Sequence, residues 1–179
     1  MRRMDAPHTM GYVHVYTGDG KGKTTAALGL AIRAAGAGWN VFFAQFAKGM
    51  STSELSALAR FDDRIAVRRF GCEGFIRGRP SADDLAAARQ GIEECHAALV
   101  SSRYELVILD EANLGPALDL FPAERLVELI DARPEHVELV ITGRQAAAQV
   151  LARADLVTEM REVKHYYRRG VLARTGIEK

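Results

Sequence analysis

The chain of 179 residues has only two cysteines, one tryptophan and five prolines. Cys72 and Cys95 stand more than twenty residues apart, outside any CxxC spacing. That excludes a disulfide scaffold and a cysteine zinc site and leaves two free thiols. Neither sign of charge predominates: 24 Lys+Arg against 23 Asp+Glu give a net charge of +1 and an isoelectric point near 7.8. No global field therefore draws nucleic acid or an anionic membrane, and any anion site is local. No run approaches the roughly 18 apolar residues of a membrane span. Residues 1–10 hold two arginines but no apolar signal-peptide stretch, so we expect a cytosolic protein. With 48% hydrophobic and 26% charged residues and a mean hydropathy of −0.08, the composition is globular and excludes disorder, collagen and coiled coil. The length suits one domain that buries roughly 70% of its unfolded surface.

Strand and helix signals alternate along the chain. Residues 1–10 are polar and unpatterned and read as a mobile arm, leaving 11–179 as the single domain. Residues 12–16 form a β-rich run that ends in a glycine-dense turn; an alanine- and leucine-rich helix over 24–35 stops at Gly36 and Gly38. Strands are predicted over 41–46 and 65–70, with a short helix over 53–60 between them. Ser81 with Asp84 resembles a capping box for a long helix reaching Val100. The apolar run Leu106, Val107, Ile108, Leu109 predicts a central strand covered on both faces, closing in Asp110 and Glu111. Pro122 is expected to open a helix at its first position and Arg133-Pro134 to end it. A strand over 137–141, a helix over 145–153 and a weakly alternating strand over 156–163 follow. The fold class is α/β: a P-loop NTPase-like (RecA-like), mostly parallel sheet of about six strands with helices on both faces and ligands at the strands' carboxyl ends.

The strongest motif is Thr17, Gly18, Asp19, Gly20, Lys21, Gly22, Lys23, Thr24 and Thr25, set between a strand and a helix. Glycines remove the Cβ atoms that would keep successive amides from converging on a phosphate. Lys23 adds a point charge, the helix adds its N-terminal partial charge, and Thr24 stands where a P-loop hydroxyl meets Mg²⁺. The Walker A pattern GxxxxGK[ST] would need glycine at position 17, so the first glycine is one residue out of register. Asp110 and Glu111 fit the Walker B role of acids presented to the metal; an acidic pair ending a strand is commonplace without the P-loop. Gln45 and Lys48, and Arg144 after Thr142-Gly143, follow strands and are candidate phosphate or substrate contacts, though each could be a solvated loop residue. The glycine-rich loop 71–80 carries Phe75 and Ile76, which favours a lid or ligand platform. His14 reads as a strand residue and Cys72 as a bystander. The segment 164–169 mixes cations with aromatics, a weak signal for single-stranded nucleic acid.

Over residues 11–178 these motifs together resemble the P-loop type of ATP:corrinoid adenosyltransferase. The landmarks are the shifted loop 17–25, residues 45–49, 71–75, 107–113 and 142–144, then 154–160, 163–165 and 176–178. The resemblance implies an enzyme in which a Co(I) corrinoid attacks the 5′ carbon of ATP and the whole triphosphate leaves. It implies Lys23 and Glu111 as the catalytic pair, Thr24, Asp110 and Glu111 around Mg²⁺ or Mn²⁺, and Phe75, Lys164 and His165 at the corrinoid. It further implies ATP held reversed relative to kinases, a homodimer with an N-terminal arm over the active site, and a flavoprotein reductant as a partner. Two departures stand out: Arg77 where some members carry a second lid aromatic, and Tyr166-Tyr167 where proline and phenylalanine commonly follow the Lys-His pair. Two other readings use the same residues: a P-loop hydrolase or kinase with Glu111 preparing water or an acceptor, and a nucleotide-dependent switch.

Overall fold

In the computed structural model, which describes residues 10–47, 53–72, 76 and 78–178, six strands form one sheet in the order β3-β2-β4-β5-β1-β6. They are β1 (Val13–Thr17), β2 (Val41–Phe46), β3 (Ile65–Phe70), β4 (Leu106–Asp110), β5 (Glu138–Thr142) and β6 (Leu156–Glu159), and every pairing is parallel. The helices are α1 (Lys23–Gly36), α2 (Ser53–Leu58), α3 (Ala82–Val100), α4 (Leu114–Ala117), α5 (Glu124–Ala132) and α6 (Ala148–Leu151).

Strand alternation divides the core into two layers. Val41 and Phe43 of β2, Leu106 and Ile108 of β4, and Val140 of β5 pack with Ala27, Ala31 and Ala34 of α1 and Leu58 of α2. Phe42, Ala44, Phe46, Val107, Leu109, Leu139 and Ile141 face the other way, against α3, α5 and Val150 of α6. β2 and β4 are buried at every position, so they read as continuous apolar runs. Small residues let α1 lie close to the sheet. The predicted capping box is present: Ser81 Oγ accepts the Asp84 amide at 3.1 Å and the Asp84 carboxylate accepts the Ser81 amide at 2.9 Å.

Three boundaries differ from expectation. α5 begins at Glu124, with Ala123 before it, so Pro122 precedes the helix and its carbonyl accepts the Arg125 amide at 3.0 Å. The helix predicted over 145–153 is cut to four residues: Gln145 is in the left-handed region (φ 55°) and Ala147 is extended (φ −65°, ψ 143°), so no helical turn forms before Ala148. β6 ends at Glu159 because the chain turns at Met160 to meet the phosphate loop. Among the described residues no helix is long and apolar enough to cross a membrane.

Candidate active site

The glycine-rich loop leaves β1, the strand between β5 and β6, and enters α1. Gly18 (φ 90°) and Gly22 (φ 123°) adopt backbone that side chains resist. The loop is also packed from outside by the end of β6. Met160 donates its amide to the Thr17 carbonyl at 2.9 Å and accepts the Gly20 amide at 2.6 Å. A Cβ on Gly18 or Gly20 would stand 2.5 or 2.7 Å from the Met160 carbonyl oxygen. The glycine spacing thus serves two surfaces, the phosphate side and the β6 side. Gly22 caps α1 with no side chain, which leaves the amides of the first turn available to an anion.

Lys23 is 6% exposed, and its ammonium donates to the carbonyls of Gly18 (2.6 Å) and Gly20 (2.8 Å). Burial lowers its pKa; Glu111 acts against that, Arg144 adds to it, and Asp19 and Asp110 oppose it. Lys23, Arg144 and three acids therefore share one local field.

Asp110 sits in a row of polar side chains that crosses three strands. Gln45 on β2 and Asp110 on β4 are register partners, and Gln45 Nε2 donates to Asp110 Oδ2 at 3.1 Å. Thr142 on β5 donates its hydroxyl to Asp110 Oδ1 at 2.7 Å and accepts the Glu111 amide at 2.9 Å. Gln45, Asp110 and Thr142 are fully buried. Glu111 has φ 61°, a left-handed conformation uncommon outside glycine. Gln45 Oε1 and both polar atoms of the Asn113 side chain are buried at these strand ends without a hydrogen-bond partner among the described residues, leaving polar capacity unspent near Asp110.

A cleft of about 650 Å³ opens over the loop. It is lined by the loop from Asp19 to Thr25, by Glu111, Arg144 and His165, and by Gly176, Ile177 and Glu178 of the C-terminal turn. Lys21 ties that turn down, donating to the Ile177 carbonyl at 2.7 Å with the Glu178 carboxylate 3.6 Å away. Glu178 also accepts from the Tyr166 hydroxyl and from the Arg174 backbone amide at 2.9 Å, while the Arg174 guanidinium lies 5.0 Å over the Tyr166 ring. These donors, Arg174 first, hold the Glu178 carboxyl down at about 2.

Of the residues singled out from sequence, the cleft gathers Asp19, Gly20, Lys21, Gly22, Lys23, Thr24, Thr25, Glu111, Arg144 and His165. Thr17 and Gly18 form the loop's entry, where the Thr17 hydroxyl accepts the Ala146 amide at 3.3 Å. Gln45 and Asp110 lie beneath the cleft rather than on its wall. Lys164 is exposed and does not line it. Lys48 and Phe75 fall outside the described residues. His14 is half-buried on β1 and sits 2.6 Å from Glu138, away from the cleft. Sequence reasoning missed Thr142 and Met160 as parts of the site and assigned no role to Gly176, Ile177 and Glu178. Thr142 had a signal, a hydroxyl at a strand end beside Arg144; the contacts of Met160 and the C-terminal turn arise only from packing.

The donor set fits a hard cation. The Thr24 hydroxyl and the Glu111 carboxylate share the cleft, and among the described residues no three His, Cys, Asp or Glu side chains converge. Mg²⁺ accommodates such a pattern because it completes its shell with water and phosphate oxygens.

A parallel sheet, a glycine loop feeding a helix N-terminus, and acids at the neighbouring strand end define a P-loop nucleotide-binding protein. The family model ATP:corrinoid adenosyltransferase BtuR/CobO/CobP matches residues 9–178. The chain belongs to that family and is a transferase. It is 37% identical to the corrinoid adenosyltransferase of Escherichia coli K12 and 36% to the corrinoid adenosyltransferase CobA of Salmonella typhimurium LT2, in each case over 99% of this chain and 90% of the relative. It is 35% identical to the corrinoid adenosyltransferase of Pseudomonas aeruginosa PAO1, over 94% of this chain and 83% of that one.

Proposed function

We propose that this chain transfers the 5′-deoxyadenosyl group of ATP to the cobalt of a reduced corrinoid and releases inorganic triphosphate. In this reaction the Co(I) substrate is the nucleophile. Its electron pair forms the cobalt–carbon bond at the 5′ carbon, while the C5′–O5′ bond breaks and its electrons leave on the triphosphate. No proton has to be removed from a nucleophile, so the chain's residues bind, orient and stabilise charge. The observation that carries the reading is a single cleft shared by the phosphate loop, Glu111, Arg144 and His165 in a chain of this family.

In this reading the loop from Thr17 to Thr25 takes the triphosphate with its amides other than that of Gly20, which Met160 holds, together with Lys23, Lys48, Arg144 and a Lys21 that exchanges the Ile177 carbonyl for a phosphate oxygen. Lys23 exchanges its two loop carbonyls for phosphate oxygens and acts as a preorganised donor to the charge that develops on the leaving group. Orienting the ribose carbon toward the corrinoid is worth about 7–11 kcal/mol. Thr24 and Glu111, with Asp110 and Gln45 beneath them, would hold Mg²⁺ or Mn²⁺, which would supply positive charge beside the triphosphate. Phe75, Lys164 and His165 contact the corrinoid. The chain works as a homodimer whose arm, residues 1–10, helps to cover the active site, and a flavoprotein supplies the reduced cobalt.

The test is an anaerobic mixture of protein, ATP, Mg²⁺ and chemically reduced Co(I) cobalamin. The visible spectrum is followed, and triphosphate is assayed against ADP. A light-sensitive adenosyl product with stoichiometric triphosphate is the expected result. If cobalamin stays unreacted, a smaller corrinoid replaces it. ADP and phosphate formed without corrinoid would overturn the reading in favour of hydrolysis.

A further inference from the structure

Thr142 occupies the last position of β5, fully buried, between the two acids. A threonine hydroxyl has one proton to give. Here it goes to Asp110 Oδ1 at 2.7 Å, a short charge-assisted bond, and a lone pair of the same oxygen receives the Glu111 amide at 2.9 Å. The other Asp110 oxygen takes the Gln45 amide, so the carboxylate is clamped from both neighbouring strands. The orientation of the Thr142 hydroxyl follows from that clamp.

Consecutive residues of a regular strand point to opposite faces of a sheet. Asp110 and Glu111 escape this alternation because Glu111 takes a left-handed step at φ 61°. Its carboxylate lines the cleft, and both acids act on the charge of Lys23. A left-handed glutamate is costly and persists only where its surroundings over-determine it. The Glu111 amide bonded to Thr142 Oγ1 is such a constraint, reinforced two residues later by the Asn113 amide donating to the Thr142 carbonyl at 3.0 Å.

We propose that Thr142 is a positioning residue. It couples the buried Asp110 carboxylate to the Glu111 backbone and thereby aims the Glu111 carboxylate into the cleft. The proposal rests on the reading above, in which Glu111 acts in adenosyl transfer. Valine at this position keeps the shape of threonine and removes both hydrogen bonds; serine keeps both bonds and loses a methyl group.

The test compares Thr142→Val, Thr142→Ser, Glu111→Gln and the Thr142→Val/Glu111→Gln double variant by kcat and KM for ATP in the anaerobic transfer assay. Thr142→Val is expected to lower kcat by about tenfold or more, with a much smaller change in KM, and Thr142→Ser to stay within about threefold of wild type. Because Thr142 acts through Glu111, the double variant is expected to be no slower than the slower single variant, a failure of additivity that a merely structural role would not give. Amide exchange at Glu111 is expected to quicken in Thr142→Val and not in Thr142→Ser. Thr142→Ala carries the same comparison should Thr142→Val not fold. Wild-type kcat in Thr142→Val with an impaired Glu111→Gln overturns the positioning role alone, as do multiplying effects in the double variant or failure of serine to restore kcat. Wild-type behaviour of Glu111→Gln instead overturns the underlying role of Glu111.

Discussion

Replacing Gly20 by alanine would put a methyl carbon 2.7 Å from the Met160 carbonyl oxygen and 2.8 Å from the carbonyl carbons of Met160 and Arg161. All three are backbone atoms, so no rotamer change relieves the overlap. Gly20 is absent from the glycines with positive φ, and the cost is therefore steric rather than conformational. Restoring ordinary contact requires the phosphate loop and the end of β6 to part by about 0.7 Å, which stretches the 2.6 Å bond from the Gly20 amide to Met160. Overpacking of this kind costs about 1–3 kcal/mol, and weakening the hydrogen bond adds about 1 kcal/mol. Gly20→Ala is thus expected to lose about 2–4 kcal/mol, seen as a lower denaturant midpoint at unchanged m-value, and to bind ATP at least tenfold more weakly by calorimetry. Gly29→Ala is the matched control. No heavy atom lies within 4 Å of its Cβ, and alanine inside α1 gains up to about 1 kcal/mol of helix propensity. The same substitution nine residues on therefore has the opposite sign. A Gly20→Ala protein with wild-type midpoint and ATP affinity would refute the claim that β6 braces the loop.

Three further outcomes are expected. Lys23→Ala removes a preorganised donor and is expected to cost roughly 3 kcal/mol, about a hundredfold in triphosphate release, and near-wild-type turnover would remove Lys23 from the reaction. Glu178 has a folded-state pKa of about 2, below its ordinary 4.5. Its contribution to closing the C-terminal turn is therefore fully present above about pH 5 and is lost as pH falls through about 2. Tyr166 and Arg174 signals followed by NMR are expected to stay constant from pH 8 to pH 5 and to change only below about 4.5; a transition near neutrality would show that another group controls the turn. Cys95 is fully buried and its pKa is pushed well above the usual thiol range by burial, whereas Cys72 is half-buried and its thiol is raised first by desolvation and then by Asp84. A thiol reagent at pH 7.5 is expected to label Cys72 slowly and Cys95 only on unfolding. Equal rates at both would contradict the packing of α3 against the sheet.

What could be read along the chain was whatever local pattern controls. Leu106 to Leu109 declare a doubly covered strand through an apolar run, α1 declares itself through alanine and leucine, and the capping box of α3 is spelled out by two residues three apart. The phosphate loop is legible for the same reason: its amides, lysines and helix N-terminus are contiguous, so their geometry follows from local glycine chemistry. Boundaries were less legible where a left-handed Gln145 and an extended Ala147 delay the start of a helix.

The tertiary structure alone decided which distant groups meet. Strand order sets β1 between β5 and β6, and only that order puts Met160 against Gly18 and Gly20 and leaves the glycines answering to two surfaces. Parallel register decides that Gln45, Asp110 and Thr142 stand in one row, although 65 and 32 residues separate the bonded partners. Lys21 reads from sequence as a phosphate ligand, and the fold gives its ammonium to a carbonyl 156 residues away. Short-range preferences carry no information about such contacts, because the hydrogen bonds that make them exist only after the sheet has closed its order.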